Sequence, residues 1–166
     1  MRTGVAFGSN LGDRLANLGA ARKAILDLPG VSPPILASAV YETDPVDCEP
    51  GAGKFLNAAI EFEYKGDPMT LLGDLGRVEE SLGRRANHER NVSRDIDLDL
   101  LYCDDLRIND ARLQLPHPRM HLRKFVLQPL ADIRSGLFLP GHSKSVHELL
   151  AQLDESVKVN RLTQNW

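Results

Sequence analysis

Asp95, Asp97 and Asp99 alternate with Ile96, Leu98 and Leu100 in the run Arg94-Asp95-Ile96-Asp97-Leu98-Asp99-Leu100-Leu101. Side chains on a β-strand alternate between faces, so this spacing predicts three carboxylates on one face and an apolar row on the other. Aspartate is a poor strand residue, and carboxylates gathered on a partly dry surface raise each other's pKa. A bound divalent cation removes that conflict. Oxygen-only donors point to Mg²⁺ or Mn²⁺ rather than zinc. The competing reading is a solvated edge face that protects the strand from aggregation. The apolar partners and a basic loop directly upstream tip the balance to the metal. A calcium loop of the EF-hand kind fails, because its sixth position is Leu100 and its twelfth is Leu106.

That basic loop carries Arg84, Arg85, Arg90 and Arg94. Planar guanidinium groups suit phosphate oxygens, and arginines beside metal-binding carboxylates are what phosphoryl transfer needs. The plainer alternative is a solvated loop whose arginines pair with Glu79, Glu80 and Glu89. Further along, Pro116-His117-Pro118-Arg119-Met120-His121-Leu122-Arg123 adds a second polar cluster. His117, held by prolines on both sides, is its candidate functional residue; Arg119 and His121 read as surface. Gly51-Ala52-Gly53-Lys54 resembles part of a phosphate loop, but Phe55 stands where Ser or Thr would meet Mg²⁺. No G-x-G-x-x-G is present, so any nucleotide is held without the common fingerprints.

These residues need elements to position them. Val5-Ala6-Phe7 predicts a buried strand, broken by Gly8-Ser9-Asn10-Leu11-Gly12-Asp13. Leu15, Leu18, Ala21, Ile25 and Leu28 predict a helix stopped by Pro29-Gly30. Residues 35–42 read as a second strand and 43–54 as a long loop, of the kind that is usually functional or disordered. Leu56, Ala58, Ile60, Phe62 and Tyr64 mark a half-buried strand. Asp67-Pro68 opens a helix with apolar positions at Leu71, Leu72, Leu75, Val78 and Leu82, and Gly83 closes it. A second long loop spans 84–93, and the acidic strand follows. Leu106 to Ile108 is expected to pair back across Cys103-Asp104-Asp105, with a short helix at 145–153 and a last strand at 157–162. The order β-α-β-β-α-β predicts an α+β, ferredoxin-like antiparallel sheet with helices on one face, followed by extra C-terminal elements.

Composition narrows the function classes. The 166 residues suggest one domain, 1–166. Twenty Lys and Arg against 23 Asp and Glu give a net charge of −3, a poor match to a nucleic-acid or anionic-membrane surface. With 42% hydrophobic residues the chain can bury a core, yet no apolar run approaches the length of a membrane span. Met1-Arg2-Thr3 leads straight into Gly4-Val5-Ala6-Phe7, too short for a signal-peptide core. Cys48 and Cys103 are the only cysteines and show no metal spacing. A reduced, cytoplasmic protein, expected to be a monomer, fits best.

Taken together, the segments resemble the 6-hydroxymethyl-7,8-dihydropterin pyrophosphokinase family of folate biosynthesis. The resemblance rests on Phe7-Gly8-Ser9-Asn10-Leu11-Gly12, Tyr41-Glu42-Thr43, Phe55-Leu56-Asn57-Ala58-Ala59, Gly83-Arg84, the acidic strand, Pro116-His117-Pro118-Arg119-Met120 and Phe125-Val126-Leu127-Gln128-Pro129-Leu130. It implies diphosphoryl transfer from ATP to a pterin, with release of AMP. It implies two Mg²⁺ ions on Asp97 and Asp99, with Asp95 at a position where the family needs no acid. Arg84 and Arg94 would meet the phosphates as catalytic arginines. His117 and Arg123 would bind ATP, with adenine received by backbone near Leu100 and Leu113. Asn57, Thr43 and Val46 would read the pterin edge, and Phe55 and Phe125 would flank its ring. The sequence departs from the family at Asn91-Val92-Ser93-Arg94, Thr43-Asp44-Pro45 and Pro118. Two other readings stay open on the residues alone: a different two-metal phosphoryl or nucleotidyl transferase, and a ligand-binding module with decayed catalytic loops.

Overall fold

The computed structural model describes residues 1–45, 51, 53–83 and 95–166. Their elements are β1 (Arg2–Ser9), α1 (Arg14–Leu26), β2 (Val31–Ala37), β3 (Val40–Thr43), β4 (Phe55–Tyr64), α2 (Pro68–Ser81), β5 (Asp97–Cys103), β6 (Ile108–Asn109), β7 (Gln114–Leu115), a 3₁₀ turn (Met120–Leu122), α3 (Lys124–Arg134), α4 (Val146–Leu150) and β8 (Val159–Thr163). The main sheet runs β5-β1-β4-β3-β8, with β2 also beside β4. Every pairing in it is antiparallel. The split βαβ plan read from the sequence is therefore the plan of the chain: β1 lies between β4 and β5, and the β2/β3 segment flanks β4.

Local chemistry starts the two first helices. The Asp13 carboxylate accepts the Ala16 N–H at 3.1 Å, and the Asp67 carboxylate accepts the Thr70 N–H at 2.9 Å with Pro68 at the first position. Their apolar stripes, including Leu18, Ala21, Ile25, Leu71 and Leu75, bury against Val5, Phe7, Ile60, Leu98 and Leu100. The opposite face is covered as well, which the expectation of helices on one face did not include. Ala6, Tyr102, Met120, Val126, Leu127, Leu130, Leu139 and Val146 form a second core under α3 and α4.

The structure corrects two further expectations. Residues 35–42 are not one strand. The Ser38 hydroxyl accepts the Ala59 N–H at 2.9 Å, and the Ala39 N–H donates to the Asp132 carboxylate at 3.1 Å. Side chains thus replace ladder partners, and the strand divides into β2 and β3. Leu106 to Ile108 does not pair back onto β5 either: Ile108 pairs with Leu115 and Asn109 with Gln114, in a separate two-stranded sheet. The short late helix and last strand are present at Val146–Leu150 and Val159–Thr163.

Candidate active site

The register of the sheet aligns a row of side chains across four strands. Gly8 of β1 pairs with Asn57 of β4 on one side and with Asp97 of β5 on the other, and Asn57 pairs with Tyr41 of β3. One step along, Thr43 pairs with Phe55; one step the other way, Ala6 lies between Ala59 and Asp99. Paired residues share a face. Thr43, Phe55, Asn57, Asp97 and Asp99 therefore occupy one end of the sheet on the α3 side, while Leu98 and Leu100 enter the core under α1 and α2.

Each of these side chains is held. The buried Asn57 amide donates from Nδ2 to the Thr43 hydroxyl at 2.8 Å, which leaves its carbonyl oxygen directed by that bond. Tyr41 donates its hydroxyl to the Asp132 carboxylate at 2.8 Å, so β3 is fastened to α3. Burial, reinforced by Asp132, pushes the Tyr41 phenol up to about 12. At the other end of α3, the Arg123 guanidinium lies 3.6 Å from Asp99 Oδ2 and 5.5 Å from the centre of the Phe125 ring. The helix thus carries a cation and an aromatic ring onto the face that displays the carboxylates.

A cavity of about 300 Å³ adjoins β5, lined by Leu72, Leu98, Asp99, Leu100, Ala111, Arg112, Leu113, Gln114, His117 and Pro118. His117 is fixed at its mouth by two bonds. Its N–H donates to Leu101 O at 2.8 Å, and its Nδ1 accepts the Arg119 N–H at 3.2 Å. In the neutral ring that bond leaves the proton on Nε2. Burial holds the imidazole below its ordinary pKa, and the nearby Asp99 partly opposes this.

The structure therefore brings together Asp97, Asp99, Arg123, His117, Leu100 and Leu113 around the cavity and the end of β5, and Thr43, Phe55 and Asn57 on the adjoining strands. Phe125 stands at the start of α3 over the same face. Val46, Arg84 and Arg94 lie outside the described residues. Asp95 does not continue the carboxylate row, because β5 begins at Asp97. Its carboxylate lies against Gly83 and Gly12 instead; a Cβ on Gly83, whose φ is +111°, would come 3.0 Å from Asp95 Oδ2. Arg112 and Gln114 line the cavity without having been singled out in the sequence. They arrive through the β6–β7 hairpin, and their one sequence signal is adjacency to Leu113.

Among the described residues no group of three or more His, Cys, Asp or Glu side chains forms a ready-made metal cage. Two aspartates two residues apart on one face, with Asp99 34% exposed, instead suit a hard cation that takes its remaining oxygens from a ligand.

An antiparallel α+β sheet that gathers paired carboxylates, an arginine and an imidazole beside one cavity has the build of a small phosphoryl-transfer enzyme. Residues 4–135 match the family 7,8-dihydro-6-hydroxymethylpterin-pyrophosphokinase (HPPK), and the chain belongs to that family. It is 41% identical over 129 residues to the 2-amino-4-hydroxy-6-hydroxymethyldihydropteridine pyrophosphokinase of Bacillus subtilis, spanning 78% of this chain and 75% of the relative. It is 37% identical over 155 residues to the enzyme of the same name from Methylorubrum extorquens, spanning 93% and 95%. In fold it is similar to wild-type Plasmodium falciparum HPPK-DHPS with pteroate, at a TM-score of 0.69 and 14% identity. That match covers 91% of this chain and 42% of the longer one.

Proposed function

We propose that this chain transfers the diphosphoryl group of ATP to the hydroxymethyl oxygen of 6-hydroxymethyl-7,8-dihydropterin and releases AMP, in folate biosynthesis. The hydroxymethyl oxygen bonds to the β-phosphorus, the bond from that phosphorus to the oxygen bridging the α-phosphate breaks, and the hydroxyl proton is lost. The observation that carries this reading is the row Asn57–Gly8–Asp97, which sets a heterocycle-reading amide and a cation-binding carboxylate on opposite sides of one side-chain-free position.

The donor set fits Mg²⁺, and Asp97 and Asp99 would hold two such ions. When bound, they would supply positive charge to the phosphate oxygens and orient the reacting groups. The chain's own groups do the rest. Arg123 is a planar cation beside Asp99 and suits phosphate oxygens. His117, whose imidazole partial burial holds below its ordinary pKa, offers its Nε2 proton to a phosphate or ribose oxygen. The apolar walls at Leu72, Leu100 and Leu113 suit a flat base, with backbone near Leu100 and Leu113 reading its edge. Asn57 and Thr43 read the pterin, with Phe55 and Phe125 against its ring. Arg84, Arg94 and Val46 belong to the same reading through the family resemblance.

Residues 1–166 act as one such domain, a reading supported by β8, which returns the C-terminal segment to β3. No helix among the described residues is long and apolar enough to cross a membrane. We read the protein as a cytoplasmic monomer whose partners are its two small substrates, with no nucleic acid and no membrane. Incubation with ATP, Mg²⁺ and 6-hydroxymethyl-7,8-dihydropterin should yield AMP and the pterin diphosphate in equal amounts. ADP as the nucleotide product would overturn the proposal.

A further inference from the structure

His121 and His142 bring their imidazole rings to 4.8 Å between centres, with the planes inclined at 50°. Neither lines the cavity beside β5, and neither has a part in the proposed reaction. Both stand on fixed backbone. His121 lies in the 3₁₀ turn, where the Leu122 N–H donates to Arg119 O at 3.1 Å and the Arg123 N–H to Met120 O at 3.2 Å. The fully buried Met120 anchors that turn. His142 ends the tight turn Leu139-Pro140-Gly141-His142, in which its N–H donates to Leu139 O at 2.9 Å. Proline in second place and Gly141 in third, at φ +86°, are the residues such a turn asks for. The loop around it is fastened as well, because Phe138 bridges to Ser145 and the Val146 N–H donates to Leu137 O at 2.8 Å.

Imidazole nitrogen suits Zn²⁺ and the neighbouring transition ions, whereas Mg²⁺ prefers oxygen. At Zn–N distances of about 2.0–2.1 Å, two imidazoles on one ion hold their ring centres roughly 4.5–5.2 Å apart. The observed 4.8 Å falls within that span. Burial, then His121, then Arg107 hold His142 below its ordinary pKa, so the neutral ring, the form that ligates metals, prevails at pH 7. Arg107 is the nearby cation: its guanidinium would lie 3.3 Å from a Cβ added at Gly141. That side chain is exposed, so solvent and salt screen its charge. One screened cation beside two neutral rings attracts an anion only weakly, which favours a metal over a phosphate. We propose that His121 and His142 form a second cation site, for Zn²⁺ or a like transition ion, separate from the oxygen-donor site of Asp97 and Asp99. Among the described residues no third His, Cys, Asp or Glu joins them, so water completes the coordination and the ion exchanges freely. The ion ties the 3₁₀ turn, which stands between His117 and Arg123, to the loop before α4.

The test is a Zn²⁺ titration of the full chain in excess Mg²⁺, which competes for the oxygen-donor site. It is followed by calorimetry, by ¹⁵N NMR of the histidine rings and by thermal denaturation. The ring nitrogens of His121 and His142 should shift together on addition of Zn²⁺, while those of His117 and His147 stay. His121→Gln and His142→Gln should each weaken Zn²⁺ binding by about tenfold or more, because a chelate becomes a single ligand. Zn²⁺ should raise the melting temperature of the wild type and not of these variants. His147→Gln should bind as the wild type does. Arg107→Gln should tighten Zn²⁺ binding by about twofold, since an opposing exposed charge is gone. Should either glutamine variant fold poorly, the wild-type ring shifts and the Arg107→Gln titration still decide. Zn²⁺ binding that survives both glutamine substitutions, or that shifts the His117 ring instead, would overturn the proposal. So would two rings that ignore Zn²⁺, which would make the pair a packing contact. Rings that respond to inorganic phosphate but not to Zn²⁺, with the response lost in Arg107→Gln, would make the cluster an anion site and overturn it too.

Discussion

Arg123 Nη1 lies 3.6 Å from Asp99 Oδ2, so the residue that caps the start of α3 brings a cation onto a carboxylate of β5. Both side chains are partly exposed, at 24% and 34%, which places the pair among those worth roughly 0.2–1 kcal/mol. A divalent ion binding Asp99 has to displace or share that guanidinium. Arg123→Met should therefore tighten Mn²⁺ binding in the absence of nucleotide by no more than about fivefold, the ratio that energy allows. The same change should weaken binding of an ATP analogue by about tenfold or more, since a charge-assisted contact to phosphate is lost. Paramagnetic titration of Mn²⁺ and calorimetry of the analogue measure the two effects. Mn²⁺ binding that weakens along with ATP binding would mean that Arg123 does not oppose the metal.

Asp97 and Asp99 should be far more sensitive than their exposure suggests. Asp97→Asn or Asp99→Asn keeps the shape of the side chain and removes its charge. Either change should lower AMP release by about a thousandfold or more, on the scale at which preorganised charge acts in phosphoryl transfer. Melting temperature should change little, because neither carboxylate lies in the core. Turnover within tenfold of wild type in both variants would remove these residues from the metal site.

The far end of α3 is held by a different pair. Arg134 donates from Nε and Nη2 to Glu61 Oε1 at 2.8 and 2.6 Å, and Glu61 is 3% exposed. Tyr102 donates its hydroxyl to the other oxygen at 2.6 Å. Removing the arginine would strand a buried carboxylate, which typically costs about 3–5 kcal/mol. Arg134 is itself partly exposed, so Arg134→Met should fall near the lower figure in urea denaturation. Adding Glu61→Gln should recover part of that loss, because the uncompensated charge goes with it. A double variant less stable than Arg134→Met alone would contradict this account.

Pro129 explains why α3 was not legible in the sequence. Pro129 stands inside the helix, and Asp132 and Arg134, both open to water in part, bond Tyr41, Ala39 and Glu61. A proline in the middle of an otherwise amphipathic stretch reads as a helix stop. The division of β2 from β3 was hidden for a different reason, since it depends on Ser38 and Asp132 taking over ladder bonds. By contrast, β4 and β5 alternate cleanly because one face of each packs under α1 and α2, and Asp67-Pro68 announces α2 through its own cap. At the site, the carboxylates and His117 were singled out by type and spacing, and Asn57 only through the family resemblance. Arg112 and Gln114 did not, because a hairpin with little pattern of its own delivers them.

The three tyrosines give a readout of the buried faces in alkali. Burial raises all three phenols above the ordinary value: Tyr41 to about 12 with help from Asp132, Tyr64 with smaller contributions from Asp74 and Asp67, and Tyr102 strongly, with Glu61 adding to the effect. A phenol whose pKa is raised in the folded state keeps its proton there, while the unfolded chain begins to lose it near 10. The stability Tyr41 contributes is thus complete below about pH 10 and declines as the pH rises from there through about 12. Absorbance at 295 nm should show no step of one tyrosine near pH 10 in the native protein. The rise should come at higher pH, together with loss of structure. Tyr41→Phe should make stability less steeply dependent on pH between 10 and 12. A tyrosinate step at pH 10 with the fold intact would place one ring in water.

Gly4 is a glycine of β1 that the packing itself requires. An added Cβ at Gly4 would meet the edge of the Tyr102 ring, 2.6 Å from Cζ. The ring has nowhere to go: Tyr102 is 2% exposed, and its hydroxyl is fixed on Glu61. Overpacking of this kind costs about 1–3 kcal/mol when neighbours can adjust, and Gly4→Ala should lie at or above the upper figure because this neighbour is pinned at both ends. The clash belongs to the ring itself, so the cost of Gly4→Ala should shrink in a Tyr102→Leu background and should be indifferent to changes at Asn57 or Asp97. Urea denaturation of the two single variants and the double variant measures that coupling. An unchanged cost in the Tyr102→Leu background would show that the strain lies in the β1 backbone rather than in the phenol that crosses it.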